Sequence, residues 1–226
     1  MNKKNSLLLP PQFFETDSDE KIRNILDLDV DALYLFDHFK NPTDSSKPTY
    51  KFTEKIFSLY KKVKNEIEVG VCVLNVNARD LNILFKDIID PLLELKNINI
   101  GLGTGDNKYE KHDEIFDNDI EVVINYILKN KNFISNNSTL FIGGNSQSKL
   151  DLVQKYNLGI NQWMGSDSDF IDKQNVYKNL INPIGRLSRC VINKKMYEFD
   201  YEKIFVIKDS NLKIFQKTID LSLIHI

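Results

Sequence analysis

Asp31-Ala32-Leu33-Tyr34-Leu35-Phe36-Asp37-His38-Phe39 is the stretch on which the reading of this chain turns. Its apolar run, Ala32 to Phe36, stops abruptly at Asp37 and His38. A short apolar run bounded by polar residues reads as a strand buried on both faces, as in a parallel sheet. The polar pair then lies just past the strand's carboxyl end, where α/β barrels carry their chemistry. Of the three histidines, His38 is the one in such a constrained setting. The plainer reading of the same residues is a histidine in a loop that caps a strand.

Outward from this strand the pattern repeats. Ser6–Leu9, stopped by Pro10 and Pro11, reads as a first strand, and Asp17 or Ser18 caps a helix with Ile22, Ile25 and Leu26 on one face. After Ala32–Phe36, a loop with Pro42 and Pro48 leads to a helix through Phe52, Ile56, Leu59 and Val63. Ile67–Leu74 is a third strand, and Asp80 opens a helix that Pro91 should kink or interrupt. Ile98–Leu102 is a fourth strand, followed by a helix over Asp113–Lys129 with Phe116, Ile120, Val123, Ile124 and Ile127 turned inward. Thr139–Ile142 and Gly159–Met164 are the fifth and sixth strands, with a helix carrying Leu150 and Val153 between them.

Alternation of strand and helix means a parallel sheet with right-handed crossovers, either doubly wound or closed into a barrel. Beyond Ser166 the pattern loosens. Phe170–Leu180 and Leu212–Leu223 have helical character, and Ser188–Ile192 and Ile204–Ile207 strand character. At 226 residues the chain is shorter than the roughly 250 typical of a complete eight-unit barrel, so the C-terminal units are expected to be abbreviated or missing. No interior linker divides residues 1–226, which read as one domain.

A formal net charge of -2 and a pI near 6.0 give no basic footprint for nucleic acid or an anionic membrane. No stretch is apolar enough to span a bilayer. The N-terminal apolar run, Leu7 to Leu9, is too short for a secretory signal. The two cysteines, Cys72 and Cys190, have no metal-ligand or redox spacing. Cys72 within an apolar run suits a reduced, buried thiol, and the expected compartment is the cytoplasm.

Polar or glycine residues recur where strands end: Asp37-His38, Asn75, Gly101 to Asp106, and Gly143 to Ser146. On one rim of a parallel barrel they would form a pocket whose helix N-termini favour anions. Gly101-Leu102-Gly103-Thr104-Gly105-Asp106 is not the dinucleotide fingerprint, since its third glycine comes one position early. Such glycines let backbone approach a flat ligand or turn tightly. Gly143-Gly144-Asn145-Ser146, just before a helix, suits a phosphate group, or equally a plain turn with Ser146 as N-cap. Glu110, His112, Asp113 and Glu114 lack the spacing of a helical metal site and read as helix N-terminal charge.

In this order the motifs resemble the luciferase-like family of flavin-dependent oxidoreductases. Leu33 to Phe39 is similar to that family's strand ending in Asp-His-Phe. Glu68-Val69-Gly70-Val71-Cys72-Val73 is similar to its third strand, and Ile100 to Asp106 with Glu110 to its glycine-rich fourth. Phe141 to Ser146, then Leu150 to Trp163, resembles its phosphate turn, helix and Trp-bearing strand, although the family's aspartate before Gly159 is absent.

The resemblance covers roughly residues 6 to 165 and implies a TIM-type (β/α) barrel with a ring lying across its C-terminal mouth. It implies a non-proline cis peptide near Cys72-Val73, His38 as acid or base with Asp37 orienting it, and Glu110 as a second acid–base group. It assigns the cofactor to Cys72, Val73, Gly103, Thr104, Gly105 and Asp106, with the phosphate at Gly143, Gly144, Asn145 and Ser146. The cofactor would be FMN, as in monooxygenases, or a deazaflavin (coenzyme F420), as in hydride-transfer enzymes. Gly-Thr-Gly-Asp with no tryptophan following points towards the deazaflavin. The partner is a small-molecule substrate, and a barrel left incomplete could finish its site as a homodimer. Two alternatives stand beside this: a degenerate barrel that binds a flavin or a partner without turnover, and a barrel enzyme acting on a phosphorylated metabolite.

Overall fold

A computed structural model describes residues 4–42, 44–63, 66–105, 116–192, 201–208 and 213. Eight strands close into a barrel in sequence order: β1 (Lys4–Leu8), β2 (Ala32–Leu35), β3 (Glu68–Asn75), β4 (Ile98–Gly103), β5 (Thr139–Gly143), β6 (Gly159–Trp163), β7 (Leu187–Val191) and β8 (Glu202–Val206). Every neighbouring pair is parallel, and β8 pairs with β1 from Lys4↔Glu202 to Leu8↔Val206. This is a TIM-type (β/α) barrel. The C-terminal units were expected to be abbreviated or missing; their strands are present, since β7 and β8 complete the ring and hydrogen-bond back to its start.

Helices α1 (Ser18–Leu26), α2 (Phe52–Val63), α3 (Leu81–Leu84), α4 (Asp90–Leu93), α5 (Ile120–Lys129), α6 (Lys131–Ser135), α7 (Gln147–Tyr156) and α8 (Asp167–Lys178) surround the strands. Their apolar stripes and the outward strand residues share one core, with Ile56, Leu59, Val63, Val69, Val71, Ile100 and Ile124 within it. Between α3 and α4 the chain makes a π-helical turn, Phe85–Ile89, and resumes with Pro91 at the second position of α4. That wide turn is the interruption expected at Pro91, since proline has no N–H to continue the ladder.

Helix α5 begins seven residues later than the sequence suggests. Asp119 caps it by accepting from the Glu121 N–H at 2.8 Å, and Phe116, expected inward, is 42% exposed. The short helix α6 was not apparent in the sequence. The helix expected over Leu212–Leu223 lies outside the described residues apart from Lys213.

The barrel interior is layered. Leu8, Ala32, Tyr34, Phe36, Phe141, Ile204 and Val206 fill its middle with both cysteines. At the N-terminal ends of the strands Glu68 accepts from Lys4 (2.9 Å), Asn99 (2.9 Å) and Arg186 (2.6 and 2.8 Å). Glu202, wholly enclosed, accepts from Ser6 (2.6 Å) and Tyr34 (3.1 Å) and lies 3.6 Å from Arg186. Burial pushes the Glu202 carboxyl above its ordinary value despite Arg186. Burial also opposes ionisation of Glu68, but Arg186, Asn99 and Lys4 together outweigh it and hold that carboxyl below its ordinary 4.5.

The two carboxyls act oppositely on stability. Glu68 stabilises above its ordinary value, and that contribution is lost as pH falls through its depressed folded value. The Glu202 contribution is present in acid and lost as pH rises through its raised folded value. Arg186→Leu removes the cation on which both depend. It should cost about 3–5 kcal/mol in urea denaturation at neutral pH, where a buried charge is left unpaired. The cost should shrink as pH falls, because protonation of Glu202, whose carboxyl is already pushed up by burial, removes the unpaired charge. Equal losses at neutral and at acid pH would mean that the guanidinium acts through packing alone.

Candidate functional site

Past β2 the chain is braced before it turns away. The Phe36 N–H donates to the Tyr50 hydroxyl at 2.8 Å, and the two rings stack with centroids 4.9 Å apart. The Asp37 N–H donates to the Val73 carbonyl at 3.3 Å. The Asp37 carboxylate accepts from the Asn75 N–H (3.2 Å) and from both Arg79 guanidinium nitrogens (2.7 and 2.8 Å). Asp37 thus clamps the irregular end of β3, where the register against β4 slips between Val71 and Leu74. The Cys72–Val73 peptide there is cis, at the position the family resemblance implied. Asp37 is the partner of Arg79, a residue the sequence reading had not singled out.

The tips of β2, β3, β4 and β5 meet in one cavity of about 530 Å³. His38, Cys72, Val73, Gly103, Thr104, Gly105, Gly143, Gly144 and Asn145 all line it, as the sequence reading grouped them. Ser146 stays outside the lining. It stands at the N-cap position of α7 without making a side-chain cap bond, its hydroxyl 3.0 Å from that of Ser148. Asp106 and Glu110 lie outside the described residues. Asp37 borders a second hollow of about 380 Å³ with Tyr50, Arg79 and Ile83, and His38 is common to both.

Packing also requires glycine at three of these positions. A Cβ on Gly101 would lie 2.3 Å from the Phe141 ring, and one on Gly103 would lie 2.6 Å from Val73 Cγ2. A Cβ on Gly143 would meet Val73 Cγ1 at 2.8 Å. Gly103 and Gly143 thus make room for Val73 and also line the cavity. Val73, carried on the irregular turn of β3, lies across the ends of β4 and β5. Gly105 (φ 78°) and Gly144 (φ 119°) do serve as turns in the left-handed region.

Pro42, Lys149, Asn161 and Trp163 also line the cavity and were not among the predicted site residues. Lys149, in the first turn of α7, stands over Gly144 and has no carboxylate partner among the described residues. Burial pushes its ammonium pKa down. A basic residue in the first turn opposes the helix dipole, and that was the available sequence signal for an anion here. Lys173, almost fully buried, donates to Asn145 Oδ1 (2.6 Å) and Gln162 Oε1 (2.9 Å), fixing the Gly-Gly turn from α8. Among the described residues no three His, Cys, Asp or Glu side chains gather to hold a metal, and no helix is long and apolar enough to cross a membrane.

The closed parallel ring, with a hollow lined from the tips of β2 to β6, is a TIM-type (β/α) barrel whose candidate site lies at the C-terminal mouth. No protein-family model and no curated protein matches the chain by sequence. In fold it is similar to a solved structure, the coenzyme F420 dependent tetrahydromethanopterin reductase from Methanopyrus kandleri. The TM-score is 0.58 at 14% identity, over 86% of this chain and 68% of that one.

If Val73 is seated by the missing side chain at position 103, Gly103→Ala should destabilise the protein by about 1–3 kcal/mol through overcrowding. The same substitution should cost roughly 0.5 kcal/mol less, or better, in a Val73→Ala background. Additive losses in thermal denaturation would separate the two residues.

Proposed function

We propose that the chain is an oxidoreductase that holds a flavin-type ring in the mouth cavity and transfers hydride to or from a small organic substrate, with a deazaflavin favoured over FMN. The observation that carries this reading is the convergence of four strand tips, from His38 to Asn145, on one hollow. Its volume, about 530 Å³, suits a small-molecule or cofactor site. The preference for a deazaflavin is supported by the fold shared with the F420-dependent reductase and by the Gly103-Thr104-Gly105-Asp106 sequence.

The residues present fit such a group. When bound, the ring supplies the two-electron hydride step. Val73, beside Gly103 and Gly143, would give the ring an apolar rest, with Trp163 and Pro42 in the cavity wall. The Gly144–Asn145 turn, the N-terminus of α7 and Lys149 would hold the phosphate. His38, between the two hollows, gives or takes the proton at the substrate atom that hydride transfer leaves charged.

Titration of the purified protein with coenzyme F420, and separately with FMN, followed by fluorescence, tests the reading. Saturable binding of F420 with weaker binding of FMN is expected. Lys149→Ala should weaken that affinity by about tenfold or more, the loss typical of a hydrogen bond to a charged group. Gly144→Val should also weaken it, because φ 119° excludes a branched side chain. His38→Ala should leave affinity nearly unchanged and lower turnover by roughly 100-fold or more. A folded protein that binds neither ring system would remove the proposal, and full turnover in His38→Ala would remove His38 from the mechanism.

A further inference from the structure

The only two cysteines in the chain are 118 positions apart, yet their sulfurs lie 3.8 Å from each other inside the barrel. Cys72 is on β3 and Cys190 on β7, with three strands between them in either direction around the ring. They therefore face each other from opposite walls. Cys72 forms part of the cavity lining, and Cys190 is completely enclosed. Asn161, also in the lining, places its carboxamide oxygen 3.8 Å from Cys190 Sγ.

We propose that Cys72 and Cys190 form a two-thiolate site for a thiophilic divalent cation of the zinc group, with Asn161 Oδ1 as a third donor and the fourth position open to the cavity. Metal–thiolate bonds of about 2.3 Å span sulfurs 3.8 Å apart at an angle of about 110°, close to tetrahedral. The sulfurs need no displacement to take the ion. A disulfide is the poorer fit, because an S–S bond of roughly 2.05 Å requires sulfurs now 3.8 Å apart to move together.

On binding, two S–H bonds break, two S–metal bonds form, and two protons leave to solvent. No electrons are exchanged. The product is a neutral unit, which suits an apolar shell of Tyr34, Phe141 and Ile204 better than a lone ion would. In the metal-free protein the contact with Cys190, and then burial, push the Cys72 thiol up. The inference needs only access through the cavity and stands apart from the flavin reading.

The test is titration of the reduced, metal-free full chain with cadmium chloride. One ion per chain, an ultraviolet thiolate-to-cadmium band, release of two protons per ion and a raised melting temperature are expected. Cys72→Ser and Cys190→Ser should each abolish the band, and Asn161→Leu should keep it while weakening affinity roughly 10–100-fold. Should a serine variant fail to fold, cadmium must protect both thiols of the unmodified protein from alkylation by N-ethylmaleimide, reversibly by chelator. Absence of the band, its survival in Cys190→Ser, unprotected thiols, or conversion of the pair to a disulfide in air would each overturn the proposal.

Discussion

The rim depends on the Asp37–Arg79 pair. It is bidentate, and both side chains are largely enclosed, at 8% and 21% exposure, so it is screened far less than a surface ion pair. Through it the exit of β2 is tied to the irregular turn of β3, and the tie continues along the rim. The Val76 N–H donates to the Gly103 carbonyl at 2.9 Å, and the Asn77 amide to the Thr104 carbonyl at 3.2 Å. Asn118 bonds the carbonyls of Val76 and Arg79 at 2.6 and 2.7 Å. Val73, positioned by this chain of contacts, lies against β4 and β5. Four strand tips are thereby fixed relative to one another by groups that themselves need take no part in chemistry.

The layers below explain how the mouth can be left open. A barrel interior is a packed core, not a pore. Here the N-terminal ends are sealed by Glu68, hydrogen-bonded to Lys4 and Arg186, and by Glu202, 3.6 Å from Arg186. Above them the Tyr34 and Phe141 rings meet edge to face, with centroids 6.2 Å apart. The cysteines come next, and above them the bulky layer ends. Val73 lies over Gly103 and Gly143, and the hollow opens at the level of these three residues.

Much of this was legible in the sequence, for definite reasons. A parallel barrel strand is apolar on both faces and ends in polar residues, so Ala32–Phe36 followed by Asp37-His38 could be placed at the mouth. The ladder that joins β8 to β1 was not legible, because Glu202–Val206 has no flanking pattern and its pairing with Lys4–Leu8 is non-local. Nor was the role of Asp37, since Arg79 is 42 residues away and the pairing arises only from the turn after β3. The packing that excludes a Cβ at Gly101 and Gly103 was not legible either, because the side chains involved, Phe141 and Val73, belong to neighbouring strands. The convergence of Cys72 and Cys190 follows from ring closure and leaves no trace in their spacing.

The charge distribution at the mouth is unfavourable to the protein by itself. Burial disfavours the ammonium of Lys149 and that of Lys173. Lys173 is compensated by two carbonyl oxygens, from Asn145 and Gln162. Lys149 has no such compensation, and it also stands at the positive end of α7, where the dipole repels it. No Asp or Glu among the described residues lines the cavity. An anion seated on the Gly144–Asn145 turn, as proposed, would offset both penalties at once: it would pair with the ammonium and meet the helix amides. The proposed phosphate position thus rests on a local arrangement that is costly when empty and favourable when an anion is present.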